Sequence, residues 1–145
     1  MERRTILLVE DNPDDEELTK RALIKNNIAN NIVVAHDGQE AVDYIFAKGQ
    51  YKDRNIRDLP VLILLDLKLP GMDGLDVLRT IRADDWTRTL PVVILTSSKE
   101  DEDIIKSYRH GANSYIVKPV DFKQFSEAII ALGVYWLVLN EPPRE

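Results

Sequence analysis

Cysteine is missing altogether from this chain of 145 residues. That removes disulfides, thiolate metal sites and cysteine nucleophiles at once. Histidine is scarce as well. His36 and His110 make two in all, too few for a multi-histidine zinc centre. Positive charge is outweighed, with 19 Lys and Arg against 25 Asp and Glu and a formal net charge of −6. Non-specific nucleic-acid binding rests on neutralising phosphates with Lys and Arg, so this balance argues against it. Long hydrophobic runs are lacking too. The most extended nearly apolar stretch, 128–139, falls well short of the roughly 20 residues that span a bilayer. The opening MERRTILLVEDN has too short an apolar core for a signal peptide. These absences predict a soluble, cytoplasmic protein with no membrane segment, at the usual size of one domain.

What the chain does have is alternation. Apolar runs of strand length occur at TILLV (5–9), NIVVA (31–35), PVLILLD (60–66), PVVILTS (91–97) and SYIVKP (114–119). Stretches of helical period separate them. After the first run, Pro13 suits a first helical turn, acids crowd the start, and Leu18, Ala22 and Leu23 recur at helical spacing. Asp37-Gly38 opens a second helix with Ala41, Tyr44, Ile45 and Lys48 on one stripe and Gly49 as its stop. Leu75, Leu78 and Ile81 mark a third. Ser97 with Glu100, or Ser98 with Asp101, has the spacing of a capping box for a fourth helix that ends at Gly111. A last helix runs over 121–140, and the charged segment 50–58 is longer than usual for a helix–strand connection. Five strands alternating with five helices predict parallel βαβ units with helices on both faces. Near-continuous apolar strands fit a sheet buried on both sides. The expected fold is a doubly wound α/β sandwich in one domain, 1–145.

In open sheets of this type, ligands bind outside the carboxyl ends of the strands, where the winding direction switches. The residues expected there are Glu10 and Asp11, Asp66, Thr96 and Ser97, then Lys118 and Pro119. Each has an ordinary explanation when taken singly. The acid pair suits a helix N-terminus, Asp66 can cap the following turn, and a lysine before proline is usually solvated. Jointly they place three carboxylates, a hydroxyl and an amine on one edge. Three clustered acids repel, and Mg²⁺, which takes a few carboxylate or carbonyl oxygens and often a phosphate oxygen, removes the conflict. Lys118 offers a point charge for a phosphate and Thr96 a hydroxyl donor. A carboxylate can itself be the nucleophile and form an acyl phosphate. Asp66, on the central strand, is the best placed.

Over nearly its whole length the chain resembles the receiver domain of two-component response regulators, which has a flavodoxin-like (βα)5 fold. The matching segments are LLVEDNPDD, LLDLKLPGMDG, VVILTSS and GANSYIVKPVD. The resemblance implies that Asp66 takes a phosphoryl group from a phosphohistidine on a sensor histidine kinase. It implies that Glu10 and Asp11 hold Mg²⁺ together with Asp66 and the backbone carbonyl of Lys68. Lys118 and Thr96 would bind the phosphoryl oxygens, Thr96 moving inward and Tyr115 rotating into the space behind it. The Lys118–Pro119 bond would be cis. No output domain is expected, nor any enzyme activity beyond self-catalysed phosphoryl acceptance and autodephosphorylation. The long 49–60 loop and the ending YWLVLNEPP look like stand-alone regulators that serve phytochrome-type sensor kinases.

Two other readings compete. A haloacid-dehalogenase-type aspartyl-phosphate hydrolase wants a second aspartate two positions after its nucleophile, and Lys68 stands there. A phosphorylation-independent adaptor would not need the acid pair, Asp66, Thr96 and Lys118 together. The last helix adds an expectation of its own. Phe122, Phe125, Ile129, Leu132 and Trp136 form one apolar stripe, and Ile130, Val134, Leu137 and Val138 a second. An exposed second stripe predicts a homodimer built through that helix.

Overall fold

The computed structural model describes residues 4–25, 31–119 and 121–131. In chain order the elements are β1 (Thr5–Val9), α1 (Pro13–Lys25), β2 (Asn31–Ala35), α2 (Gly38–Phe46), a 3₁₀ turn at Gly49–Tyr51, β3 (Leu62–Leu65), α3 (Gly74–Ala83), β4 (Val92–Thr96), α4 (Asp101–Arg109), β5 (Ser114–Val117) and α5 (Phe122–Ala131). All strand pairs are parallel, in the order β2-β1-β3-β4-β5. The winding direction therefore reverses between β1 and β3, which sets the ligand-binding edge beside those two strands. Period-two alternation along β1 sends Leu7 and Val9 to one face and Ile6 and Leu8 to the other. The first face packs on Ala41, Tyr44 and Ile45 of α2 and Val77, Leu78 and Ile81 of α3. The second packs on Leu23 of α1 and Phe125 of α5. Each fully buried Leu or Ile contributes about 1.5–3 kcal/mol relative to exposure. Among the described residues no helix is long and apolar enough to cross a membrane.

Several local expectations need correction. α2 stops at Phe46, three residues before the predicted glycine stop, so Lys48 is not on its stripe. Ala47 itself takes the left-handed conformation, with φ 54°, and Arg54 donates from Nε and Nη2 to the carbonyls of Tyr44 and Ile45. A side chain ten residues downstream thus satisfies orphan carbonyls of the last turn. The segment predicted as a charged loop is tied down by that arginine, which also stacks 4.3 Å from the Tyr44 ring, and by Tyr51, whose hydroxyl donates to Glu40 at 2.6 Å. Neither predicted capping box forms at α4. Glu100 is the cap without a side-chain bond, and Ser98 donates instead to Asp103 at 2.6 Å. That helix ends at Arg109 rather than Gly111. Leu18, predicted on the buried side of α1, is 59% exposed, and Thr19 is buried in its place. The strands are shorter than their apolar runs: Pro60, Asp66, Ser97 and Pro119 all fall outside them. The extension of the last helix to 140, the residues Leu132, Val134, Trp136, Leu137 and Val138, and the side chains of Phe122 and Ile129 lie outside the described residues.

Candidate functional site

Each functional side chain sits at the carboxyl end of a strand, and the strand register brings them together. Val9 of β1 pairs with Leu65 of β3, so Glu10 and Asp66 are the first residues past two adjacent strand ends. Thr96 is the last residue of β4, paired with Val117 of β5, which puts Lys118 one step beyond. Glu10 and Asp66 are buried and Asp11 is exposed. Carboxylate oxygens of these three residues lie within 4.8 Å of one another. The Lys118–Pro119 peptide is cis, as the resemblance implies.

Asp66 uses its two oxygens differently. Oδ1 accepts from the backbone N–H of Lys68 at 3.2 Å, which is the turn-capping role open to any aspartate there. Oδ2 accepts from Lys118 Nζ at 3.0 Å. The turn is kept tight by Gly74, because a Cβ on that residue would come 2.2 Å from the Asp66 carbonyl oxygen and 2.7 Å from Leu67 Cα. Lys118 Nζ also donates to Glu10 Oε1, and the other oxygen of Glu10 accepts from the N–H of Asn12 at 3.3 Å. Burial pushes the Glu10 carboxyl up to about 7, against the hydrogen bond from Lys118 and with the help of the Asp66 charge. Burial works against the Lys118 ammonium, but its bonds to Glu10, Asp15 and Asp66 outweigh that and hold its pKa above the ordinary value. The acids are therefore crowded and only partly neutralised.

Those donors suit a hard divalent cation: three carboxylates in reach of one ion, an exposed side at Asp11, and one acid, Glu10, driven towards its neutral form chiefly by burial and further by the Asp66 charge. Thr96 is fully buried, with its Oγ1 at 3.5 Å from the N–H of Ser98. Tyr115 is half-buried and donates to the carbonyl of Ser98 at 3.0 Å, and burial pushes its hydroxyl above the ordinary pKa. Lys68 turns outward, its Nζ 3.7 Å from Asp103 Oδ2, the same oxygen that takes the Ser98 hydroxyl bond.

Sequence reasoning missed Asp15. Its Oδ2 is the third acceptor of Lys118, at 3.0 Å. It stands in the acid-rich first turn of α1, which invites a helix-dipole explanation. Nothing in composition or spacing sets it apart from its neighbours Asp14 and Glu16 in that turn.

A family model for the response regulator receiver domain matches residues 6–130. This chain belongs to the response regulator receiver family. A solved structure of the bacteriophytochrome response regulator AtBRR is 54% identical, with a TM-score of 0.86, covering 97% of this chain and 100% of that one. The probable methanogenesis regulatory protein FilR2 of Methanothrix harundinacea is 37% identical, over 95% of this chain and 86% of its own. Response regulator Rcp1 of Synechocystis is 34% identical, over 92% and 89%. A solved structure of the Mn²⁺-bound form of Rcp1 has a TM-score of 0.75 and 33% identity, covering 97% of this chain and 99% of that one. The chain is thus a two-component receiver with the flavodoxin-like fold and an acidic cluster suited to a metal.

Proposed function

We propose that Asp66 is the phosphoacceptor of this response regulator. Its donor is the phosphohistidine of a cytoplasmic sensor histidine kinase of the phytochrome type, and Mg²⁺ is held by Glu10, Asp11, Asp66 and the backbone carbonyl of Lys68. The observation that carries the reading is the convergence on Asp66, with one oxygen fixed by Lys68 N–H and the other bonded to Lys118 among further carboxylates. An Asp66 oxygen forms the bond to phosphorus as the P–N bond to the kinase imidazole breaks, the electron pair leaving with the ring nitrogen. A carboxylate nucleophile carries no proton to lose in this step, so the transfer needs no general base. Such a transfer is loose, and positioning with charge neutralisation supplies most of the catalysis. Mg²⁺ supplies neutralisation when bound, and Lys118 supplies it from the protein.

Phosphorylation adds charge at one buried spot and biases a two-state element. Thr96 moves inward to the phosphoryl oxygen, and Tyr115 gives up its bond to the Ser98 carbonyl to follow. Chemistry beyond self-phosphorylation and autodephosphorylation is not required. The hydrolase reading is disfavoured because the acid–base position holds Lys68, and the adaptor reading because all polar groups are assembled. The likeness to AtBRR supports a phytochrome-type partner. A homodimer through the last helix remains part of the proposal, supported by Ile130 at 58% exposure. Sedimentation of Ile130→Lys at tens of micromolar, against wild type, tests it (an estimate of the range for a weak interface).

The main test is acetyl-phosphate treatment with Mg²⁺ followed by mass spectrometry. One phosphoryl group on the parent and none on Asp66→Asn is expected, and full labelling of the variant would refute the assignment. Transfer from a panel of phosphorylated kinases then identifies the partner class, with the phytochrome-type kinase expected to be fastest.

A further inference from the structure

An ammonium group has three N–H donors and no more. In Lys118 all three are taken, by Glu10, by Asp66 at 3.0 Å and by Asp15 at 3.0 Å. No donor is left for a phosphoryl oxygen, so one carboxylate has to let go when the group arrives. Glu10 is poorly suited to do so. It is 1% exposed and its other oxygen accepts from the Asn12 N–H, so the side chain has no route into water and stays beside Nζ. Asp66 can hand its donor to the phosphoryl group only after its oxygen has become the bridge of the acyl phosphate, so a donor needed while the group arrives has to come from elsewhere. Asp15 differs from both. Its side chain is 36% exposed against 9% for Lys118, and it can turn into water at little cost.

We propose that Asp15 is a positioning residue for phosphoryl transfer: it occupies the third donor of Lys118 while Asp66 is unmodified and yields it to the phosphoryl oxygen. The proposal rests on Asp66 being the phosphoacceptor. Repulsion drives the exchange, because the arriving group brings its negative charge to the amine that Asp15 already shares. Asp15 also borders a shallow groove lined by Leu18, Thr19, Ser97, Lys118 and Pro119. Its departure therefore changes the charge of the surface beside the site. In the unmodified protein the same carboxylate slows phosphorylation, by repelling an anionic donor and by engaging the lysine that should receive it.

Asp15→Asn keeps the shape and removes the charge, and Asp15→Glu restores it. Both are labelled with acetyl phosphate and with the less negative phosphoramidate, at low and high salt. Asp15→Asn should react with acetyl phosphate about three- to tenfold faster at low salt, the effect of one unit charge a few ångströms away in a partly solvated site. The gain should shrink with added salt and with phosphoramidate, and Asp15→Glu should behave like the parent. A merely structural residue would change both donors alike. Independently of any variant, a crystal structure of the wild-type Mg²⁺–beryllofluoride complex should show Lys118 on a fluoride and Asp15 beyond hydrogen-bonding distance from Nζ. An unchanged or slower Asp15→Asn, or Asp15 still bonded to Lys118 in that complex, would overturn the proposal. Wild type unlabelled at Asp66 would instead bring down the phosphoacceptor reading, and this proposal with it.

Discussion

Lys118 and Arg82 are both partly buried cations with several hydrogen bonds, and they stand at opposite ends of the sheet. Lys118 meets three carboxylates, so its surroundings carry more negative charge than it can neutralise. Arg82 meets neutral acceptors. Its Nε donates to the Gly111 carbonyl at 2.9 Å, Nη1 to the carbonyls of Arg88 and Leu90, and Nη2 to Asn113 Oδ1 at 2.9 Å. Asn113 Oδ1 also accepts from the N–H of Val92, which ties the arginine to the start of β4. Burial holds the Arg82 guanidinium below its ordinary pKa, while the carboxylates hold Lys118 above its own. A planar fork on loop carbonyls fixes geometry. A point charge among competing acids can change partners. One end of the molecule is built to stay put, the other to exchange.

If that division is right, the two cations separate rate from stability. Lys118→Ala should lower the rate of acetyl-phosphate labelling about a hundredfold, the usual scale for removing one preorganised charge from a transition state. Glu10 and Asp66 are buried and lose their cation, so labelling is compared at a Mg²⁺ concentration where circular dichroism shows the variant folded. A rate within threefold of the parent (about a quarter of that scale on a logarithmic axis) would deny Lys118 its role. Arg82→Met should do the reverse. Losing these bonds should cost about 2–3 kcal/mol in urea unfolding, with the labelling rate unchanged. A large loss of rate in a folded Arg82→Met protein would break the contrast.

Gly74→Ala crosses the division. The added Cβ meets the backbone of Asp66 and Leu67 rather than a flexible side-chain end, so the phosphoacceptor turn has to move. A cost of about 1–3 kcal/mol is expected from such overpacking, accompanied by slower labelling. Unfolding curves and labelling rates on one preparation check both. Stability loss with wild-type labelling would show that the turn does not position Asp66.

How far the sequence could be read follows the same line. Strand ends were legible because buried parallel strands are unbroken apolar runs, and any polar residue at their end stands out, as Asp66 does after Leu62–Leu65. Order along the chain then sufficed to assemble Glu10, Asp11, Asp66, Thr96 and Lys118. Groups satisfied by a side chain that departs from the regular helical or strand repeat were not legible. Arg54 closing α2, Ser98 turning to Asp103 rather than capping α4, and Asp15 reaching Lys118 each depend on where a flexible side chain finds its partner in three dimensions. Their periodicity and composition are those of ordinary solvated helices and loops.

The smallest expected effect concerns the metal, and it sharpens the contrast from the acidic side. Glu10, Asp11 and Asp66 repel one another in the native state and are far apart in the unfolded chain, so a cation that binds the cluster stabilises the fold by linkage. At ten times its dissociation constant Mg²⁺ should add about 1.4 kcal/mol. Thermal melts in Mg²⁺ and in chelator should differ accordingly, with a sodium salt at matched ionic strength unable to reproduce the shift. Asp11→Ala should remove most of the difference, since it takes away the exposed ligand without disturbing the bonds between Lys118, Glu10 and Asp66. Arg82→Met should keep the full Mg²⁺ increment on its lower baseline, because the two ends share no partner. An increment that vanished in Arg82→Met but survived in Asp11→Ala would place the ion elsewhere and end the argument for a metal at the strand ends.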